Sequence, residues 1–92
     1  MSDKRVHLFV SGRVQGVNFR GSTRVQAQRL GVVGWIRNLQ DGRVEAVAQG
    51  DSAALDRFVE FVSAGPPGSK VLDVEISDQP ISGSFPAFEV VR

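Results

Sequence analysis

The stretch Gly12-Arg13-Val14-Gln15-Gly16-Val17-Asn18-Phe19-Arg20 holds the residues best placed to do chemistry. An apolar run, Val6 to Val10, precedes it and reads as a strand. Gly21 to Leu30 follows and reads as a helix. A glycine-bearing turn between a strand and a helix N-terminus points several backbone N–H groups at one spot. The positive end of the helix dipole lies behind that spot, so it suits an anion. Arg20 adds a planar guanidinium with paired donors at the same place. The combination is a phosphate cradle in which Gln15, Gly16, Val17, Asn18, Phe19 and Arg20 supply backbone amides. Two glycines four apart also suit any sharp turn, and an arginine at a helix start can be a plain surface residue.

What the chain lacks narrows the reaction. It has no cysteine and one histidine, His7, so thiolate chemistry and Cys- or His-rich metal centres are excluded. Neither a Gly-Lys-Ser/Thr phosphate loop nor a G-x-G-x-x-G run is present. No carboxylate stands near the loop in sequence, and no serine has a base beyond His7. Strong acid–base and metal catalysis are therefore poorly provided for. A phosphate ester, with its poor leaving group, would need such help. An acyl phosphate releases a carboxylate, which departs without a proton. Its phosphoryl transfer needs mainly positioning and charge stabilisation.

The chain resembles the acylphosphatase family. The family's signatures are G-x-V-Q-G-V-x-F-R and G-W-V-x-N-x-x-D-G-x-V. The first is met by Gly12 to Arg20. The second is met by Gly34-Trp35-Ile36-Arg37-Asn38 with Asp41-Gly42 and Val44, Ile36 replacing the usual valine. The Gly65-Pro66 turn and strand-like tail extend the likeness over nearly the whole chain. The resemblance implies hydrolysis of small acyl phosphates, with no metal or organic cofactor. It assigns Arg20 to the substrate phosphate and Asn38 to the attacking water. A carboxamide can accept from water and donate to a phosphoryl oxygen at once. On the residues alone, Asn38 reads better as an asparagine easing a strand into its hairpin.

The elements that must hold these residues follow from periodicity. Val6 to Val14 is apolar on both faces, as in a central strand. In the first helix Thr23, Ala27 and Leu30 share one face, and Gly31 is placed to end it. Val32 to Leu39 and Arg43 to Gln49 are strand-like runs joined through Asp41-Gly42, a hairpin signal. Asp51 or Ser52 can cap a second helix, where Leu55, Phe58, Val59 and Val62 form an apolar stripe. Gly65-Pro66-Pro67-Gly68 stops it. Val71 to Ile76 reads as a strand, Ser77 to Pro86 as a loop and Phe88 to Val91 as a short final strand.

The order β-α-β-β-α-β predicts an α+β, ferredoxin-like split βαβ fold. Its antiparallel sheet has four strands plus a short terminal one, with two helices on one face. Leu8 or Phe9, Trp35, Leu55 and Phe58 are the expected core, and the pattern leaves open which strand parity faces the helices. In this order the second strand is expected beside the end of the first, which would bring Asn38 to the loop.

Ninety-two residues read as one domain, 1–92. Eleven basic against ten acidic residues give a net charge of +1, too little for a basic nucleic-acid face. Arg13, Arg20, Arg24 and Arg29 nonetheless cluster around the loop, with no acid between Lys4 and Asp41. They either steer an anion or form an ordinary solvated helix face. No apolar run could span a membrane and no secretory signal is visible, so the expectation is a cytoplasmic monomer without nucleic-acid or membrane partners. The alternative is a non-catalytic small-anion or RNA-binding module on the same fold.

Overall fold

A computed structural model describes residues 3–92. The chain runs β1 (Asp3–Arg13), α1 (Phe19–Leu30), β2 (Val33–Asn38), β3 (Val44–Asp51), α2 (Ser52–Ala64), β4 (Lys70–Gln79) and β5 (Phe88–Val90). The strands form one sheet in the order β4-β1-β3-β2-β5. All neighbours are antiparallel except β2 and β5, which run parallel. Both helices cover one face, α1 over β2 and β5, α2 over β1, β3 and β4. This is the expected split βαβ arrangement, with the terminal strand joined to the same sheet.

Even-numbered residues of β1, β2 and β3 face the helices. Leu8, Val10, Ile36, Val44, Ala46 and Ala48 are fully buried there. Phe19 and Ala27 of α1 and Leu55, Phe58 and Val62 of α2 close over them. Phe88 of β5 completes this layer, its ring centroid 5.6 Å from that of Phe58. Each element ends for a local reason. Gly31 takes a left-handed conformation (φ 73) and its N–H reaches the Ala27 and Gln28 carbonyls, closing α1. The Asp51 side chain accepts from the Ala54 N–H at 2.8 Å and opens α2.

Three expectations are corrected. Trp35 is outside the core: Gly34 and Ile36 take the helix face, so the two-residue period sends Trp35 to the open face. There the Arg37 guanidinium lies 5.5 Å from its ring centroid. The segment Ser77 to Gln79 is strand, because pairing with Arg5, Val6 and His7 overrides its weak local propensity. Last, β2 does not neighbour β1, since β3 lies between them.

Asn38 still reaches the loop end of the sheet. Val44 of β3 pairs with Val10 on one side and Asn38 on the other, so all three stand in one row. Among the described residues, no helix is long and apolar enough to cross a membrane.

Candidate active site

The loop begins at a fault in the sheet. The β1–β4 register shifts between Ser11 and Gly12, and Gly12 has φ 123. A Cβ there would collide with the Lys70 carbonyl, so glycine is required where the strand turns out. Gly16 and Asn18 then take left-handed conformations (φ 75 and 58), which fold residues 14–18 back over the start of α1. Phe19 is fully buried and Val17 packs against the core, so the loop is anchored from below.

The Asn18 side chain makes no capping hydrogen bond, and the first turn of α1 holds no acid. The Ser22 N–H is taken by the Asn18 carbonyl at 3.1 Å. The amides of the first turn before it lack any such side-chain acceptor, the arrangement an anion can use.

A cleft of about 370 Å³ opens at this point. Its walls are Val14, Gly16, Asn18, Phe19, Arg20, Gly21, Arg24, Asn38 and Val90. The structure thus brings Arg20 and Asn38, 18 residues apart in sequence, into one cavity with Gly16, Asn18 and Phe19. Asn38 shares the helix-facing parity of Gly34 and Ile36, which directs it under the loop. Gln15 and Val17 are not on the wall.

Two buried side-chain atoms among the described residues lack a hydrogen-bond partner: Thr23 Oγ1 and Asn38 Oδ1. Of their residues, Asn38 alone lines the cleft. A buried acceptor without a donor costs about 1–3 kcal/mol.

Two contributions escaped the sequence reading. The Gln15 side chain, expected only to lend its backbone amide, donates through Nε2 to the Leu39 carbonyl at 2.8 Å and the Arg43 carbonyl at 2.9 Å. It ties the loop to the β2–β3 hairpin. Val90 closes the cleft from β5, and no local pattern announces that. Arg24, left open between steering and solvated face, lines the wall one turn beyond Arg20, whereas Arg29 does not.

The opposite face of the sheet is chemically separate. Glu45 accepts there from Arg37 Nε at 2.7 Å and lies 2.6 Å from His7 Nε2. Burial pushes the Glu45 carboxyl up, but the hydrogen bonds from His7 and Arg37 outweigh it and hold the group below the ordinary glutamate value. None of these residues lines the cleft.

The geometry gives a split βαβ domain with an arginine and an asparagine in one cleft beside its first strand–helix turn. The comparisons with known proteins give the class of protein. The acylphosphatase family profile matches residues 6–90. An acylphosphatase of Rubrobacter xylanophilus is 56% identical over 87 residues, covering 95% of this chain and 79% of that protein. One from Acaryochloris marina is 49% identical over 83 residues, covering 90% and 88%. The crystal structure of acylphosphatase from Bacillus subtilis superposes with a TM-score of 0.93 at 38% identity, covering 97% of this chain and 99% of that one. The chain belongs to the acylphosphatase family, whose members are enzymes acting on acyl phosphate anhydrides.

Proposed function

We propose that this chain hydrolyses the carboxyl–phosphate bond of small acyl phosphates by in-line attack of one water. Arg20 and the amides of residues 15–20 hold the phosphoryl oxygens, and Asn38 holds the water. The water oxygen bonds to phosphorus as the bond from phosphorus to the acyl oxygen breaks. The electron pair leaves with the carboxylate, and the water's protons pass to inorganic phosphate or solvent. Charge on the equatorial oxygens is met by fixed donors, which need no rearrangement during the step. The leaving carboxylate needs no acid, in keeping with a cleft that has no acidic residue on its wall.

The observation that carries this reading is Asn38 Oδ1, buried without a partner in the same cleft as Arg20. A water donating to it would stand beside the phosphoryl group that Arg20 binds. Gln15 and Val17 serve by shaping the loop that presents its amides. The same reading takes residues 1–92 as one cytoplasmic monomeric domain without nucleic-acid or membrane partners. The RNA-binding alternative would use the open face. There the His7 and Phe9 rings lie 4.7 Å apart, tilted by 59°, with the Glu45 carboxylate 2.6 Å from His7 Nε2, and a carboxylate on that face opposes a phosphate backbone.

The test is inorganic phosphate release from acetyl phosphate in the presence of EDTA, with wild type and Asn38→Ala. Wild type turns over, and the variant loses about 10²-fold or more in kcat while keeping its affinity for inorganic phosphate. A folded Asn38→Ala enzyme with nearly full kcat would return Asn38 to the role of a hairpin-entry residue.

A further inference from the structure

The cleft wall holds a second arginine besides the one assigned to the phosphoryl group. Arg20 and Arg24 are four residues apart on α1, which puts them on one helix face with Cβ atoms about 5–6 Å apart. Both line the cleft, and no acidic side chain does. Among the described residues neither guanidinium has an ion-pair partner, whereas Arg37 and Arg43 each have one. Like charges at this spacing oppose each other, so the pair gains from an anion at each end. Arg24 is exposed and Arg20 half-buried, which orders them as outer and inner positions.

We propose that Arg24 makes the cleft a two-anion site. Arg20 takes the phosphoryl group, and Arg24 takes a second negative group on the acyl portion. The favoured substrates are then acyl phosphates whose acyl chain ends in a carboxylate or phosphate a few bonds beyond the carbonyl. This rests on the hydrolytic reading above and adds to it the part of the substrate that the phosphate cradle does not contact.

Three stable phosphonates test it: propylphosphonate, 3-phosphonopropionate and propane-1,3-diphosphonate. The first has an apolar tail, the second a carboxylate and the third a phosphonate. Inhibition constants are measured against acetyl phosphate hydrolysis, and dissociation constants by calorimetry. Wild type is expected to bind one or both of the anionic-tailed compounds about three- to tenfold more tightly than propylphosphonate, the range for a solvent-exposed charge contact with some hydrogen bonding. Comparing the two anionic tails shows which group Arg24 favours. Arg24→Gln should bring the preference to about one, and Arg24→Lys should keep part of it. Arg29→Gln removes the same charge from the same helix but off the cleft wall, and should leave the preference intact.

A wild-type preference of one or less for both tails overturns the proposal. So does a preference that survives in Arg24→Gln, or one lost equally in Arg29→Gln, which would assign it to the general field of the helix. If acetyl phosphate is not hydrolysed at all, the hydrolytic reading fails, yet calorimetry still decides whether the cleft holds two anions.

Discussion

The Gln15 side chain donates to the Leu39 carbonyl at 2.8 Å, and so joins the loop between β1 and α1 to the residue that follows Asn38. The same nitrogen reaches the Arg43 carbonyl across the hairpin. The loop after β1 and the strand that carries Asn38 thus have a direct mechanical link, although they come from different parts of the sequence. Gln15→Ala should lower kcat by about 10- to 100-fold, since an error near 1 Å in alignment can cost that much. Stability should fall by only about 1 kcal/mol, because the Leu39 and Arg43 carbonyls keep the Gly42 and Leu39 N–H donors. Gln15→Glu should do worse, because it turns a carboxylate toward those two oxygens. Steady-state kinetics and urea unfolding separate the two effects. A Gln15→Ala enzyme with unchanged kcat would show that the link is structural only.

Arg20 should be irreplaceable for phosphate binding. Arg20→Ala removes the guanidinium assigned to the phosphoryl group in the proposed reaction, and turnover should fall below detection. Arg20→Lys keeps a charge but not the planar fork, and should remain severely impaired. Calorimetry with inorganic phosphate gives the decisive number. Equal affinity in wild type and Arg20→Ala would take Arg20 out of the site.

Both signatures and the element order were legible in the sequence because each depends on local chemistry. Gly12 and Gly16 mark positive φ, Asp41-Gly42 marks a turn, and Leu55, Phe58 and Val62 mark a helix face. Trp35 misled because size suggests burial, while the two-residue period obeys only the parity set by Gly34 and Ile36. Val90 and the Gln15 side chain were invisible for another reason. Their roles come from strands and carbonyls far away in sequence, and no local pattern encodes a non-local partner.

Gly34 offers a stability test remote from catalysis. Its φ is 141, and a Cβ would collide with the Val47 carbonyl of β3. Gly34→Ala should therefore cost about 2 kcal/mol or more, from backbone strain and a forced shift of β2 from β3. Thermal or urea unfolding measures it. A loss below about 0.5 kcal/mol would mean that the two strands can part there freely.

Acid stability should depend on Glu45. Its folded carboxyl sits below the ordinary value of 4.5, so the unfolded chain takes up that proton more readily. The stability it contributes is therefore complete above that range and is lost as pH falls toward the folded value. Unfolding free energy of wild type should drop as pH falls below about 5, and Glu45→Gln should show a shallower slope there. Asp41 is also held low, by the Arg43 backbone and side chain, but it is fully exposed. Asp41→Asn should leave the slope nearly unchanged.

The placement of β1 sets the order in which the molecule can be assembled. It comes first among the described elements, yet both strands beside it, β3 and β4, arrive much later in the chain. The strand that leads into the candidate site is thus fully flanked only once residue 79 has docked against Arg5. Chain closure over such distances is slow, so folding belongs in the millisecond-to-second range rather than the microsecond range of local folds. Catalytic competence then arrives with the global transition and not before it. Inorganic phosphate, binding only the finished loop, should raise the melting temperature of the whole domain instead of ordering one segment.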